Sequence, residues 1–269
     1  MNRHRIRATP VAFAWPLLDA LSRFLDKLGA PVRVRGLEES PHTTWVSTDE
    51  LVREHFRSRS TLDHINFDSM LNALTLLGDK PSRIIETGMS AWGTNSTLLF
   101  SDYVATFGGQ FWSVDIRIKP LVDVRSSVTR RTILTCGDSV RFLHRWVVTN
   151  QLDCKVDFVY LDSFDLDVED PYPAALHGIR ELFAIGPALK PGSLLLVDDT
   201  PATPAFCPDG MREPAERFLA TEGVMPGKGM LIDRYLEGVA HVTKIHHGYQ
   251  ALYQFHPNAP VVDVARPSA

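Results

Sequence analysis

The sequence predicts an α/β protein: a doubly wound, mostly parallel sheet preceded by a helical N-terminal segment. From Arg83 onward, short apolar runs alternate with stretches of helical periodicity, as a parallel sheet covered on both faces requires. Each of the first five runs ends in, or is soon followed by, an acidic residue. The first run also ends in a glycine-bearing turn, Glu86-Thr87-Gly88 through Gly93, which leads into a helical stretch after Asn95. Glycine there gives a ligand close approach to the backbone, or supplies a positive φ.

A chain of 269 residues accommodates one large α/β domain with an appendage, or two small domains. Hydrophobic residues make up 44% and charged residues 22%, which fits a soluble globular protein with a real core. The formal net charge of -4 gives no electrostatic ground for a nucleic-acid partner or an anionic membrane. Cys136, Cys154 and Cys207 are odd in number and lack metal spacing, so they read as reduced thiols of a cytoplasmic protein. Arg3, Arg5 and Arg7 before Val11-Ala-Phe-Ala-Trp15 look like the start of a signal peptide. Pro16 and Asp19 interrupt that run, however, and no small-residue cleavage site follows. No stretch approaches the length of a membrane span.

Leu17, Leu18, Leu21, Phe24, Leu25 and Leu28 fall at helical spacing between Pro16 and Gly29, which makes an amphipathic helix with one apolar face. The protein's own domain is the expected cover for that face, and a homodimer contact through the N-terminal helices is the alternative. Pro31 to Thr44 reads as a loop or irregular strand. Ser47-Thr-Asp-Glu50 is a capping box that opens a second helix, with Trp45 or Val46 placed to staple it. A third helix spans Phe67 to Leu77, stopped by Gly78 and Pro81. Residues 1–80 therefore form a helical extension or lid, 81–256 the sheet domain, and 257–269 an unpacked tail.

Within the sheet domain, strands are expected at Ile84-Ile85, Phe111–Ile116, Arg131–Cys136, Val156–Leu161 and Ser193–Val197. A helix covers Ala174–Phe183 and another Arg212–Thr221. Further strands are read at Gly229–Tyr235 and at Ala240–Ile245 with Tyr249–Gln254. His241, His246, His247 and His256 lack ligand spacing, and Trp92 and Phe111 read as core before substrate platform.

The strand-end acids are Glu86, Asp115, Asp138, Asp162 and the pair Asp198-Asp199. In a parallel sheet these ends share one edge, where open α/β sheets bind ligands. Any one of them could simply cap a helix. Together they call for a ligand rich in hydroxyls or amines, or for a metal. Asp115 is placed to accept from both ribose hydroxyls, and Glu86 to orient its loop or meet an amine. Asp138-Ser139 can accept from an adenine amino group. This combination fits a nucleoside, and the missing G-x-G-x-x-G argues against a pyrophosphate and a nicotinamide dehydrogenase.

The set resembles the class I S-adenosylmethionine-dependent methyltransferases. Glu86-Thr87-Gly88 to Gly93 is similar to their first motif without its middle glycine, Val114-Asp115 to the second, Gly137-Asp138-Ser139 to the third, and Asp162 to the fourth. The resemblance covers about residues 80 to 255. It implies a Rossmann-like, seven-stranded sheet whose last strand is antiparallel, matching Ala240–Gln254. It also implies S-adenosylmethionine as cofactor, held by Glu86, Thr87, Gly88, Gly93, Asp115, Asp138, Ser139 and Asp162.

Asp162, Asp198 and Asp199 lie at the ends of neighbouring strands, which are about 4.8 Å apart, so their oxygens can meet on one cation. Such hard donors suit Mg²⁺. This pattern resembles the metal-dependent O-methyltransferases of the catechol type and of the macrolide- and aminocoumarin-sugar type. The run from Asp165 to Pro173 departs from them as a longer loop after the fourth strand, and a pair that merely caps the next turn is the metal-free alternative. Two residues can serve as the base: Asp165, three positions after Asp162, and His177, with Glu181 one turn along to orient it. The expectation is cation-assisted O-methylation of a hydroxylated small molecule, a natural-product sugar or a phenol. Its rivals are a metal-independent methyltransferase and a nucleoside-binding interaction protein without catalysis.

Overall fold

The computed structural model describes residues 15–39, 44–89, 94–150 and 154–257. Within them, an eight-stranded sheet forms the centre, with strand order β1-β4-β3-β2-β5-β6-β8-β7. The strands are β1 (Val32–Arg35), β2 (Ser82–Thr87), β3 (Gly109–Asp115), β4 (Thr132–Cys136), β5 (Val156–Leu161), β6 (Leu189–Val197), β7 (Val242–His247) and β8 (Ala251–Phe255). Strands β2 to β6 pair in parallel, whereas β8 runs antiparallel to both β6 and β7.

Adjacent residues along each central strand point to opposite faces, so a continuous apolar run feeds two cores. Ile85, Val159 and Leu195 bury on one face with α6 (Ser139–Thr149), α7 (Tyr172–Ile185) and α9 (Met230–Leu236). Ile84, Phe158 and Leu194 bury on the other with α2 (Thr48–Arg59), α3 (Phe67–Leu77) and α4 (Ser96–Phe107). Ser47 caps α2 by accepting from the Glu50 amide at 3.2 Å, and Glu50 returns the bond to the Val46 amide at 2.9 Å. Trp45 packs against the core at this end, while Val46 is exposed. Helices α2 and α3 thus form one layer of the sheet domain, with Leu51, Phe56, Met70 and Leu74 fully buried.

Three expectations need correction. The segment after Pro31 is a true strand, β1, added antiparallel to β4, so the sheet has an eighth strand beside the seven expected. Residues 230–236 form a helix, α9, and not a strand. Ile232 and Leu236, one helical turn apart, bury together against the sheet, and Ile232 closes on α7 where Gly178 leaves room for it.

The third correction concerns α1 (Trp15–Lys27): its apolar face is not covered by the other described residues. Leu17 is 73% and Phe24 57% exposed, and Leu21 and Leu28 are also exposed. The buried residues of the helix are Ser22 and Asp26, on the opposite side. Polar anchoring decides the orientation. Asp19 accepts from the Ile118 amide at 2.7 Å, and Asp26 accepts from the Asp138 amide at 3.1 Å and pairs with Arg145. Turning the apolar face inward would leave those amides without partners. No helix among the described residues is long and apolar enough to cross a membrane.

Candidate active site

The backbone ladder continues past the strand ends and draws the acidic tips into one row. Gly137 donates to the Asp115 carbonyl at 2.9 Å, Gly88 to Val114 at 2.8 Å, Asp162 to Thr87 at 2.9 Å, and Asp198 to Leu161 at 3.0 Å. The turn after β2 touches the end of β5 directly. Gly88 has φ +83, and a Cβ there would lie 2.3 Å from the Asp162 carbonyl oxygen, so only glycine fits. Above this row opens a cavity of about 580 Å³.

The cavity wall brings together Gly88, Asp115, Asp138 and Ser139 with Asp162, Asp165, His177, Asp198 and Asp199. Glu86 and Thr87 are wholly buried and do not line it. Glu86 accepts from the hydroxyls of Ser96 at 2.6 Å, Thr97 at 2.7 Å and Ser113 at 2.5 Å, and so ties the first turn of α4 to β3. Burial pushes its carboxyl up to about 7, against the pull of those three hydroxyls. Gly93, like Trp92, lies outside the described residues.

At one end of the cavity, Asp115 takes the Met89 amide at 3.1 Å and the Arg117 amide at 2.7 Å. The Arg117 guanidinium adds a bidentate pair at 3.0 and 3.1 Å. Asp138 is the N-cap of α6, accepting from Arg141 at 2.9 Å. The Ser139 hydroxyl lies 2.9 Å from His177 Nε2, and Glu181 lies 3.4 Å from the same nitrogen. Because serine and carboxylate share one nitrogen, this trio is not a proton relay, which needs opposite ring nitrogens. Burial lowers the His177 pKa, but Glu181 and the Asp138 charge outweigh it and the net shift is upward. Phe164, at φ +68, lies 5.4 Å from the His177 ring. Asp165 is exposed on the wall, and its charge acts on Arg117.

At the other end, Asp162, Asp198 and Asp199 each offer an oxygen within 4.8 Å of the others. Lys228 enters this cluster, its Nζ 2.9 Å from Asp162 and 3.0 Å from Asp199. Asp198 accepts from Gln250, and from Asn66 at 3.4 Å. Tyr249 donates to Asp199, whose φ of +43 is strained for a non-glycine residue. Burial, followed by repulsion from Asp162, pushes the Asp198 carboxyl up to about 8. The charges of Asp162, Asp199 and Asp198 overcome the burial of Lys228 and raise its pKa.

No protein-family model and no curated protein matches the chain. Solved structures do. MycE, a methyltransferase from the mycinamycin biosynthetic pathway, superposes with a TM-score of 0.53 and 18% identity in its complex with Mg and S-adenosylhomocysteine. Its complex with Mg, S-adenosylhomocysteine and mycinamycin VI gives 0.51 and 19%. Both alignments cover 82% of this chain and 57% of MycE, so the chain spans little more than half the length of that protein. The chain has the class I methyltransferase fold.

Within this methyltransferase fold, the sequence reading missed the two cations of the rim, Arg117 and Lys228. Arg117 follows Asp115 by two residues, a spacing at which a side chain can fold back on a carboxylate. Lys228 sits between Gly227 and Gly229, and that flanking pair was its one signal. A Cβ at Gly227 would lie 2.6 Å from the Asp199 carbonyl, and one at Gly229 would lie 2.4 Å from Thr200 Oγ1. The two glycines therefore let the loop press onto the exit of β6. Asn66, from the turn before α3, and Gln250, ahead of β8, reach Asp198 from far along the chain, and no local pattern announces either.

Proposed function

We propose that this protein transfers the methyl group of S-adenosylmethionine to a hydroxyl of a small molecule, with Mg²⁺ held by Asp162, Asp198 and Asp199. The observation that carries this reading is the meeting of those three carboxylates within 4.8 Å, on the same rim as Asp115 and Asp138, in a methyltransferase fold. The donor set fits the ion. Carboxylate oxygens are hard ligands, and three such groups converge here with a single ammonium as their cation. The presence of Mg and S-adenosylhomocysteine in the MycE structures supports the assignment.

S-adenosylmethionine supplies a methyl already activated on a sulfonium, and a divalent ion lowers the pKa of an oxygen acid. The chain's residues supply the rest. With S-adenosylmethionine bound, Asp115 would offer its carboxylate to the ribose once Arg117 yields, and Ser139 and Asp138 would border the adenine. Gly88 keeps the floor free of side chains. Asp165 accepts the acceptor's proton: it is exposed on the wall and makes no side-chain hydrogen bond among the described residues. His177 is held instead between Ser139 and Glu181, where it links α6 to α7. Catalysis is then chiefly proximity and orientation.

The test is calorimetric titration of S-adenosylmethionine into chelator-treated protein, then of Mg²⁺ into the binary complex, with Asp199→Ala in parallel. Cofactor binding followed by a Mg²⁺ isotherm that the variant loses is expected, and methyl transfer to a panel of sugars and phenols should follow. Cofactor binding without metal heat would retire the ion. No cofactor binding would remove the enzyme reading altogether.

A further inference from the structure

We infer that Lys228 is the resident counter-cation of the aspartate cluster: its ammonium fills the space between Asp162 and Asp199, and the cluster admits a divalent ion only when Lys228 releases those two carboxylates. The inference rests on the metal site proposed above and adds a residue that competes for it.

The position of Lys228 is set by backbone, not chance. Its amide donates to the Asp199 carbonyl at 2.9 Å, and the Gly229 amide donates to Thr200 Oγ1 at 3.0 Å, so the loop is bonded to β6's exit on both sides of the lysine. Neither flanking glycine has space for a Cβ, which keeps the loop in close contact. From that anchor the side chain runs inward until it is only 6% exposed, ending 2.9 Å from Asp162 and 3.0 Å from Asp199. A buried ammonium is stable only with such partners, and the clustered carboxylates equally need a cation. A divalent ion seeking the same oxygens meets a like charge at hydrogen-bond distance. Lys228 also borders the cavity, which gives its side chain room to withdraw while the loop stays in place.

The experiment uses Mn²⁺ as the probe on the chelator-treated full chain. Mn²⁺ affinity is measured by calorimetry for the wild type, Lys228→Met and Lys228→Gln. Removing the ammonium should tighten Mn²⁺ binding by roughly tenfold or more, from the loss of one like charge at close range. Mn²⁺ should also raise the thermal midpoint of the variants more than that of the wild type. Equal or weaker binding by the variants overturns the inference, as does the absence of Mn²⁺ binding in all three proteins. A wild-type crystal soaked in Mn²⁺ decides the matter should the variants fail to fold. An anomalous peak among the three aspartates with Nζ withdrawn from both Asp162 and Asp199 supports the inference, and a peak with both contacts intact overturns it. S-adenosylmethionine titrated into the same preparations separates the two readings: retained cofactor binding confines any failure to the role of Lys228, whereas its loss in the wild type strikes the methyltransferase reading itself.

Discussion

The two ends of the cavity solve one electrostatic problem in different ways. Each gathers carboxylates at strand tips, and each pairs them with a cation of the chain's own. At the Asp115 end the cation is Arg117, whose side chain is 49% exposed; at the Asp162 end it is Lys228, at 6%. Asp115 is itself only 4% exposed, but it keeps the Met89 and Arg117 amides when the guanidinium moves into water, so this pair opens at the lower cost. A buried pair cannot be opened without leaving charge stranded, and losing one partner costs about 3–5 kcal/mol. The first end is a shutter and the second a lock. On the reading proposed above, a hydroxyl-bearing ligand displaces Arg117 by hydrogen bonding, whereas the second end takes another cation in exchange.

This contrast can be broken at its strongest point first. In the metal-free protein, Lys228→Met should lower the free energy of unfolding in urea by about 3–5 kcal/mol; a loss under 1 kcal/mol would place both ends in one class. A pH series sharpens the same end. The folded pKa of Asp198 is raised to about 8, so the stability from its protonated form is fully present below the unfolded pKa near 4 and is lost as pH rises through about 8. Over that window the metal-free wild type should lose up to about 1.4 kcal/mol per pH unit from this group, a slope that Asp198→Asn removes. At the other end, Arg117→Met should cost less, about 1–2 kcal/mol, because the Met89 and Arg117 amides still hold the buried Asp115 carboxylate. By freeing Asp115, it should also tighten S-adenosylmethionine binding a few-fold in calorimetry.

The same contrast marks where the sequence was readable. The five parallel strands, their acidic tips and the Gly88 turn announce themselves locally, because a buried strand must be apolar along its length and the acids follow directly. The unread features depend on distant partners. Lys228 lies 66 residues from Asp162, in a loop whose following segment, Met230 to Leu236, carries apolar residues compatible with strand or helix. Burial of Ile232 and Leu236, one helical turn apart, against the sheet and α7 is what the helix achieves and a strand would not. The orientation of α1 was hidden for a related reason. Periodicity reports which face is apolar, but Asp19 and Asp26 bind amides roughly a hundred residues away, and those bonds choose the inward side. The strand β1 has only four residues, too few for its alternation of valine and arginine to separate strand from loop, and its ladder with β4 defines it.

The ladder that runs one residue beyond each strand end has a consequence for variation. Asp162 and Asp198 sit at the ends of neighbouring strands at the interstrand pitch of about 4.8 Å, and Asp115 lies two strands from Asp162; main-chain bonds involving their own or adjacent peptide groups set these positions. The main chain does most of this placing, and of the three side chains Asp115 adds to it by holding the Met89 amide. Exchanging a carboxylate for an amide, an imidazole or a hydroxyl alters what a socket accepts while its address in space stays put. The rim is therefore a row of interchangeable fittings on a fixed rail, and new chemistries can be tried on it one socket at a time.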